Sequence, residues 1–179
     1  MNVINTSLSG CLIFEPKVFG DSRGFFLEAW HENKYKEAGI QESFVQDNRS
    51  RSAKNVLRGL HFQIQKPQGK LVSVISGTVY DVAVDLRRDS ATFGQYVGVI
   101  LTGEKNNQLY VPPGFAHGFC VLSDYADFHY KCTDFYDPTD EGGIMWNDTE
   151  LNIPWPIENP LLSDKDQKQM TMQQFRDLK

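Results

Sequence analysis

Cysteine is scarce, with only Cys11, Cys120 and Cys132 in 179 residues. An odd number with no close pair makes neither a disulfide framework nor a zinc knuckle. The three read as small hydrophobes buried in a reducing cytosol. Long apolar runs are missing too: no stretch approaches the ~18 residues of a membrane span. The start, Met1-Asn2-Val3-Ile4-Asn5-Thr6, has neither the basic end nor the apolar stretch of a signal peptide. These absences disfavour membrane and secreted proteins and point to the cytoplasm. A basic excess is also lacking. Lys and Arg number 18 against 23 Asp and Glu, a net charge of −5. Nucleic acid is therefore a poor candidate partner, although a local basic pocket could still hold a phosphate. Repeats, low-complexity tracts and linkers are absent, so we expect a single domain over residues 1–179.

Apolar residues make up 40% of the chain and aromatics 12%, ample for a hydrophobic core, while 23% charge argues against disorder. Turn signals recur at Gly20-Asp21, Pro67-Gln68-Gly69, Ser76-Gly77, Thr102-Gly103, Pro112-Pro113-Gly114 and Asp137-Pro138. Short alternating segments lie between them. From Thr78 to Leu86, Tyr80, Val82, Val84 and Leu86 share one face, with Asp81 and Asp85 on the other. Similar strands read as Phe25–Trp30, Lys70–Ile75, Gln95–Thr102, Gln108–Val111, His117–Leu122 and Ala126–Tyr136. Helical character is confined to His31–Ala38, stopped by Gly39, and to a stretch after Ser163. The fold class is all-β: a sandwich, barrel or jelly roll with two short helices.

Four clusters could carry chemistry. In Val56-Leu57-Arg58-Gly59-Leu60-His61-Phe62-Gln63, a regular strand points Gly59, His61 and Gln63 one way and Arg58 the other. A bulge at Gly59 would turn Arg58 inward. His61 taken alone reads first as a satisfied structural histidine. A metal site would want a second histidine where Gln63 stands, a poor ligand, and His117 cannot supply the remainder, so no metal is expected. In Tyr110–Phe119, a Pro-Pro-Gly turn leads to His117 between Ala116 and Gly118; this is either a site with room beside it or a solvent-facing edge histidine. Period two puts Phe128, Tyr130, Cys132 and Tyr136 on one face, as core or as a proton donor and a stacking ring. In Pro160–Asp166, Ser163 reads as a helix N-cap, with Asp164 and Asp166 in the first turn.

Together these segments resemble one family. Asp21–Phe26, Gln46-Asp47-Asn48, Val56–Gln63, Gln68–Val72, Phe93-Gly94, Pro113–Phe119 and Leu162–Asp166 are similar, in order, to the dTDP-4-dehydrorhamnose 3,5-epimerases. The resemblance runs from the N-terminus to about Asp166; the tail from Gln167 to Lys179 matches no functional motif. It implies a cupin-type double-stranded β-helix, or jelly roll, acting as a cytoplasmic homodimer with arm exchange and without metal or organic cofactor. It implies as substrate dTDP-4-dehydro-6-deoxy-D-glucose, converted to dTDP-4-dehydro-L-rhamnose on the way to dTDP-L-rhamnose for surface polysaccharide. By the same resemblance His61 would be the general base, Asp166 its orienting carboxylate, Tyr130 the acid on the opposite face of the sugar, and Lys70 the cation at the 4-keto oxygen. Arg23, Glu28, Gln46, Asp47, Asn48, Arg58, His117, Glu141 and Lys165 would line the substrate site, with Tyr136 stacked on thymine. Some of these would reach the partner's site.

The residues suit that chemistry. A 4-keto group acidifies the neighbouring C–H bonds, and inversion needs a base and an acid on opposite faces. Lys70 can stabilise the developing enolate, and Arg23 and Arg58 are natural forks for a diphosphate. The alternatives are a single-carbon 3- or 5-epimerase of a related 4-keto nucleotide sugar, a non-catalytic sugar-binding jelly roll, and a metal-dependent cupin. A binding module would need no base–acid pair, and Gln63 disfavours the metal.

Overall fold

The computed structural model describes residues 1–178. It is built almost entirely of short antiparallel strands. One sheet contains β1 (Asn2–Asn5), β2 (Leu12–Glu15), β5 (Gln46–Ala53), β7 (Lys70–Ser76), β10 (Gln108–Val111) and β12 (Tyr125–Cys132), in the order β1-β2-β10-β7-β12-β5. The second contains β6 (Leu57–Gln63), β8 (Thr78–Asp85), β9 (Tyr96–Thr102), β11 (Phe115–Val121) and β13 (Glu141–Gly143), in the order β13-β6-β11-β8-β9. The two face each other as an open jelly roll of the cupin type. A separate hairpin of β3 (Val18–Asp21) and β4 (Gly24–Leu27) stands apart. Its Phe19, Phe25 and Phe26 are 53%, 63% and 69% exposed, a patch of bare aromatic surface.

The core between the sheets comes from alternate residues of both, including Val72, Val74, Val79, Ala83, Phe119, Val121 and Phe128. The alternation expected for β8 is present, but its polar face does not meet solvent. Asp81 and Asp85 point into the sandwich and are fully buried. Asp81 meets His117; Asp85 accepts bonds from Arg87, Ser90 and Thr92. Val82, Val84 and Leu86 on the other face are covered by Ile144, Leu151, Ile153, Met172 and Phe175. This sheet is thus buried on both sides, and the unassigned tail is its outer cover.

The helices fall where expected. Helix α1 (Glu32–Glu37) ends ahead of Gly39 at φ 120°, and its Tyr35 buries against Phe14 and Trp30. Helix α2 (Met172–Asp177) starts in a capping box at Thr171 and ends where Arg88 donates to the carbonyls of Phe175, Arg176 and Leu178. A 3₁₀ turn, Asp166–Lys168, precedes it. The strand expected over Phe25–Trp30 is shorter, and that over Ala126–Tyr136 ends at Cys132, which leaves Tyr136 in a loop rather than on the strand face. No helix among the described residues is long and apolar enough to cross a membrane.

Candidate active site

A cavity of about 430 Å³ opens between the sheets, within the usual range for a small-molecule site. The five-stranded sheet contributes Arg58, His61, Phe62 and Gln63 from β6, His117 and Phe119 from β11, and Glu141 from β13. The six-stranded sheet contributes Gln46, Asn48 and Ser50 from β5, Lys70 from β7, and Phe128 and Tyr130 from β12.

A bulge explains how one strand presents both Arg58 and His61. Across β6 and β11, His117 faces His61 and Phe119 faces Arg58, so Gly59 and Leu60 together oppose the single Gly118. Gly59 sits at φ 130°, and a Cβ there would lie 2.5 Å from Gly118 Cα and 2.9 Å from the His117 carbonyl oxygen. The close strand approach admits only glycine. Arg58 is steadied by a bond from its Nε to Ser52 Oγ (3.1 Å), which leaves its terminal nitrogens for a ligand.

His61 Nε2 lies 2.5 Å from Asp166 Oδ1. A carboxylate can only accept, so Nε2 carries the proton and Nδ1 the lone pair. Asp166 is buried on the 3₁₀ turn, and its Oδ2 accepts from Ser163 Oγ at 2.7 Å. Burial pushes its carboxyl up, but the bonds from His61 and Ser163 win and hold it below the usual carboxylate range. Ser163 Oγ also accepts the Asp166 N–H at 3.1 Å, but it is not the N-cap read from sequence: the cap position of the 3₁₀ turn is Lys165, and helix α2 starts from Thr171. Opposite stand Tyr130 and Lys70. Burial raises the Tyr130 phenol and, against the pull of Cys132, Asp81 and Glu141, lowers the Lys70 ammonium. Among the described residues no carboxylate pairs with Lys70 or Arg58, so both charges are available to a ligand.

His117 is not the solvent-facing edge histidine that sequence left open. It is buried in a central strand, with Nε2 3.0 Å from each Asp81 oxygen. At the mouth, Glu141 accepts from Tyr136 OH (2.9 Å) and from Lys165 Nζ (2.7 Å). The Tyr136 N–H donates to Gln46 Oε1 (3.0 Å).

Four expected residues are not brought to this cavity within the chain. Asp47 alternates outward from Gln46 and Asn48 and pairs with Lys131 on the outer face. Lys165 reaches it only through Glu141. Arg23 and Glu28 lie at the hairpin, paired with Asp21 and Lys34. Sequence reasoning missed Ser50, Gln68, Phe62, Phe119 and Phe128 as lining residues. Period two from Gln46 through Asn48 would have found Ser50. Gln63 spends its amide on the carbonyls of Lys66 and Phe135 and the N–H of Asp137, so it fastens the Tyr136 loop. No three His, Cys, Asp or Glu side chains among the described residues converge as metal ligands.

A jelly roll holding a His–Asp pair across a cavity from a tyrosine and a lysine defines an acid–base enzyme acting on a small substrate. The comparisons with known proteins narrow this. The family model described as dTDP-4-dehydrorhamnose 3,5-epimerase matches residues 5–174. The dTDP-4-dehydrorhamnose 3,5-epimerase of Shigella flexneri is 58% identical over 168 residues, covering 93% of each chain. That of Pseudomonas aeruginosa is 55% identical over 170 residues, covering 94% of each. The crystal structure of dTDP-6-deoxy-D-glucose-3,5-epimerase from Legionella pneumophila, in complex with dTDP-4-keto-L-rhamnose, superposes with a TM-score of 0.94 at 55% identity, covering 96% of this chain and 93% of that one. The chain belongs to the dTDP-4-dehydrorhamnose 3,5-epimerase family, and is an isomerase.

Proposed function

We propose that the chain inverts both C3 and C5 of dTDP-4-dehydro-6-deoxy-D-glucose, giving dTDP-4-dehydro-L-rhamnose. The observation that carries this is the division of acid–base groups between the two sheets. His61 with Asp166 comes from the five-stranded side, and Tyr130 with Lys70 from the six-stranded side, across one cavity. A sugar ring lying between them meets a base on one face and an acid on the other. His61 Nδ1 takes the proton from the carbon beside the ketone, and the C–H electron pair moves into an enolate. Lys70 donates to the enolate oxygen. Tyr130 returns a proton to the opposite face, and exchange with water resets both groups.

Arg58 holds the diphosphate, Gln46, Asn48, His117 and Glu141 the sugar and its surroundings, and Tyr136 stacks on the thymine. Arg23 and Glu28 serve a partner's cavity from the hairpin of a homodimer, which the bare phenylalanines support. The reading needs no metal or organic cofactor, because Lys70 supplies the positive charge that an enolate requires. Three buried free cysteines support a cytoplasmic setting.

The test is NMR in heavy water with the 4-keto sugar nucleotide. Deuterium at both C3 and C5, with inversion at both, is the expected result. Deuterium at one carbon alone would make the chain a single-carbon epimerase, and none at either would remove the activity.

A further inference from the structure

We propose that Ser163 is a positioning residue for the reaction: its hydroxyl fixes the Asp166 carboxylate so that one oxygen is committed to His61. This rests on the epimerase reading for its kinetic consequence, not for its geometry. The Asp166 carboxylate has two oxygens, either of which could turn to His61. Oδ2 accepts from Ser163 Oγ at 2.7 Å, which leaves Oδ1 for His61 Nε2 at 2.5 Å. The same hydroxyl oxygen accepts the Asp166 N–H at 3.1 Å. Ser163 is thus satisfied as donor and as acceptor by a single residue, and carboxylate and backbone are locked together.

Asp166 is buried while Ser163 is exposed, so the valine variant, whose branched side chain fills the hydroxyl's place, is the one that keeps water from replacing the lost donor. Ser163 does not line the cavity. A hydroxyl that donates to a carboxylate favours its ionised form. Its removal therefore makes Asp166 more basic and less firmly aimed. The other charged groups around the pair are Glu141 from β13, Lys165 beside Asp166, Arg58 from β6, Lys70 from β7, and the His117–Asp81 pair between β11 and β8. None is altered by a change at Ser163.

The test compares Ser163→Ala, Ser163→Thr and Ser163→Val. Thr and Val have nearly the same shape and differ in the hydroxyl, so this pair isolates the donor even if the Ala variant folds poorly. With the alanine and valine variants, kcat should fall about tenfold, the scale of losing a residue that orients a reacting group, while KM stays near wild type. The acidic limb of the pH–rate profile, which reports the His61–Asp166 pair as a unit, should move to higher pH. Ser163→Thr should restore both. A residue that merely caps the turn would lower thermal stability and leave the limb in place, and that result overturns the proposal. Carbon-13 NMR of the Asp166 carboxyl gives a readout independent of turnover. It should titrate at higher pH in Ser163→Val than in Ser163→Thr, and equal titration would also overturn the proposal. Wild-type protein inert toward the sugar nucleotide would sink the epimerase reading while leaving this readout intact.

Discussion

Burial acts on Tyr130 and Lys70 in opposite directions because it favours the uncharged form of each: the phenol is pushed up and the ammonium pulled down. Tyr130 therefore keeps its proton at neutral pH, which suits the donor role proposed for it rather than that of a base. Among the described residues no carboxylate pairs with Lys70, which suits the proposed role of its charge at a developing enolate oxygen. The two roles separate experimentally. In Tyr130→Phe the enolate still forms, and deuterium uptake should outlast net inversion, yielding exchanged but uninverted sugar; if the two fall together, Tyr130 has another task. In Lys70→Met both should fall by about 10²-fold or more, the scale of losing one oxyanion donor, and near-normal exchange would remove Lys70 from the enolate. His61→Asn should keep the fold and lower turnover by about 10²-fold or more, as expected for a lost general base. Turnover close to wild type would exclude it.

Where strands alternate against a hydrophobic core, they are readable from sequence, as in β8 and β9. Strand β5 is not. Its residues, Gln46-Asp47-Asn48-Arg49-Ser50-Arg51-Ser52-Ala53, show no apolar period because the inward set lines a polar cavity and the outward set lies at a sheet edge. The bulge at Gly59 was legible as a possibility, since a strand glycine beside Arg and His suggests one. The close packing of Gly59 on Gly118 was not, because it depends on a strand far away in sequence. That contact gives an element-scale prediction. Gly59→Ala must relieve a 2.5 Å contact with backbone at a φ of 130°. It should cost about 3 kcal/mol or more, lowering the melting temperature by about 6–12 °C for a chain of this size. Gly20→Ala, whose Cβ would meet nothing closer than 3.8 Å within its own chain, should cost less. Comparable melting points for the two would show that the strands can separate without cost.

For the molecule as a whole, the tail after Asp166 was opaque because it carries no chemistry; Met172 and Phe175 cover a sheet face, and general apolar character is all that such a role requires. The hairpin was opaque for the opposite reason. Arg23 and Glu28 look like site residues by resemblance, yet one chain leaves them at exposed ion pairs and outside the cavity. The arm exchange proposed above would reconcile the two facts: each hairpin would bury its phenylalanines on the partner and deliver Arg23 to the partner's cavity. Complementation tests this without a structure. On this proposal His61→Asn chains and Arg23→Ala chains should each be impaired as homodimers. Reassembled together from dissociated chains, a heterodimer with arms in trans has one cavity with intact His61 and an intact Arg23 from its partner, while the other cavity lacks both. Random pairing makes half the dimers mixed with one good site of two, so about a quarter of wild-type activity should return. If Arg23 serves its own chain, every site in every dimer carries a defect and mixing restores nothing. A failure of the two variants to regain activity, with dimers confirmed by ultracentrifugation, would place the hairpin in cis.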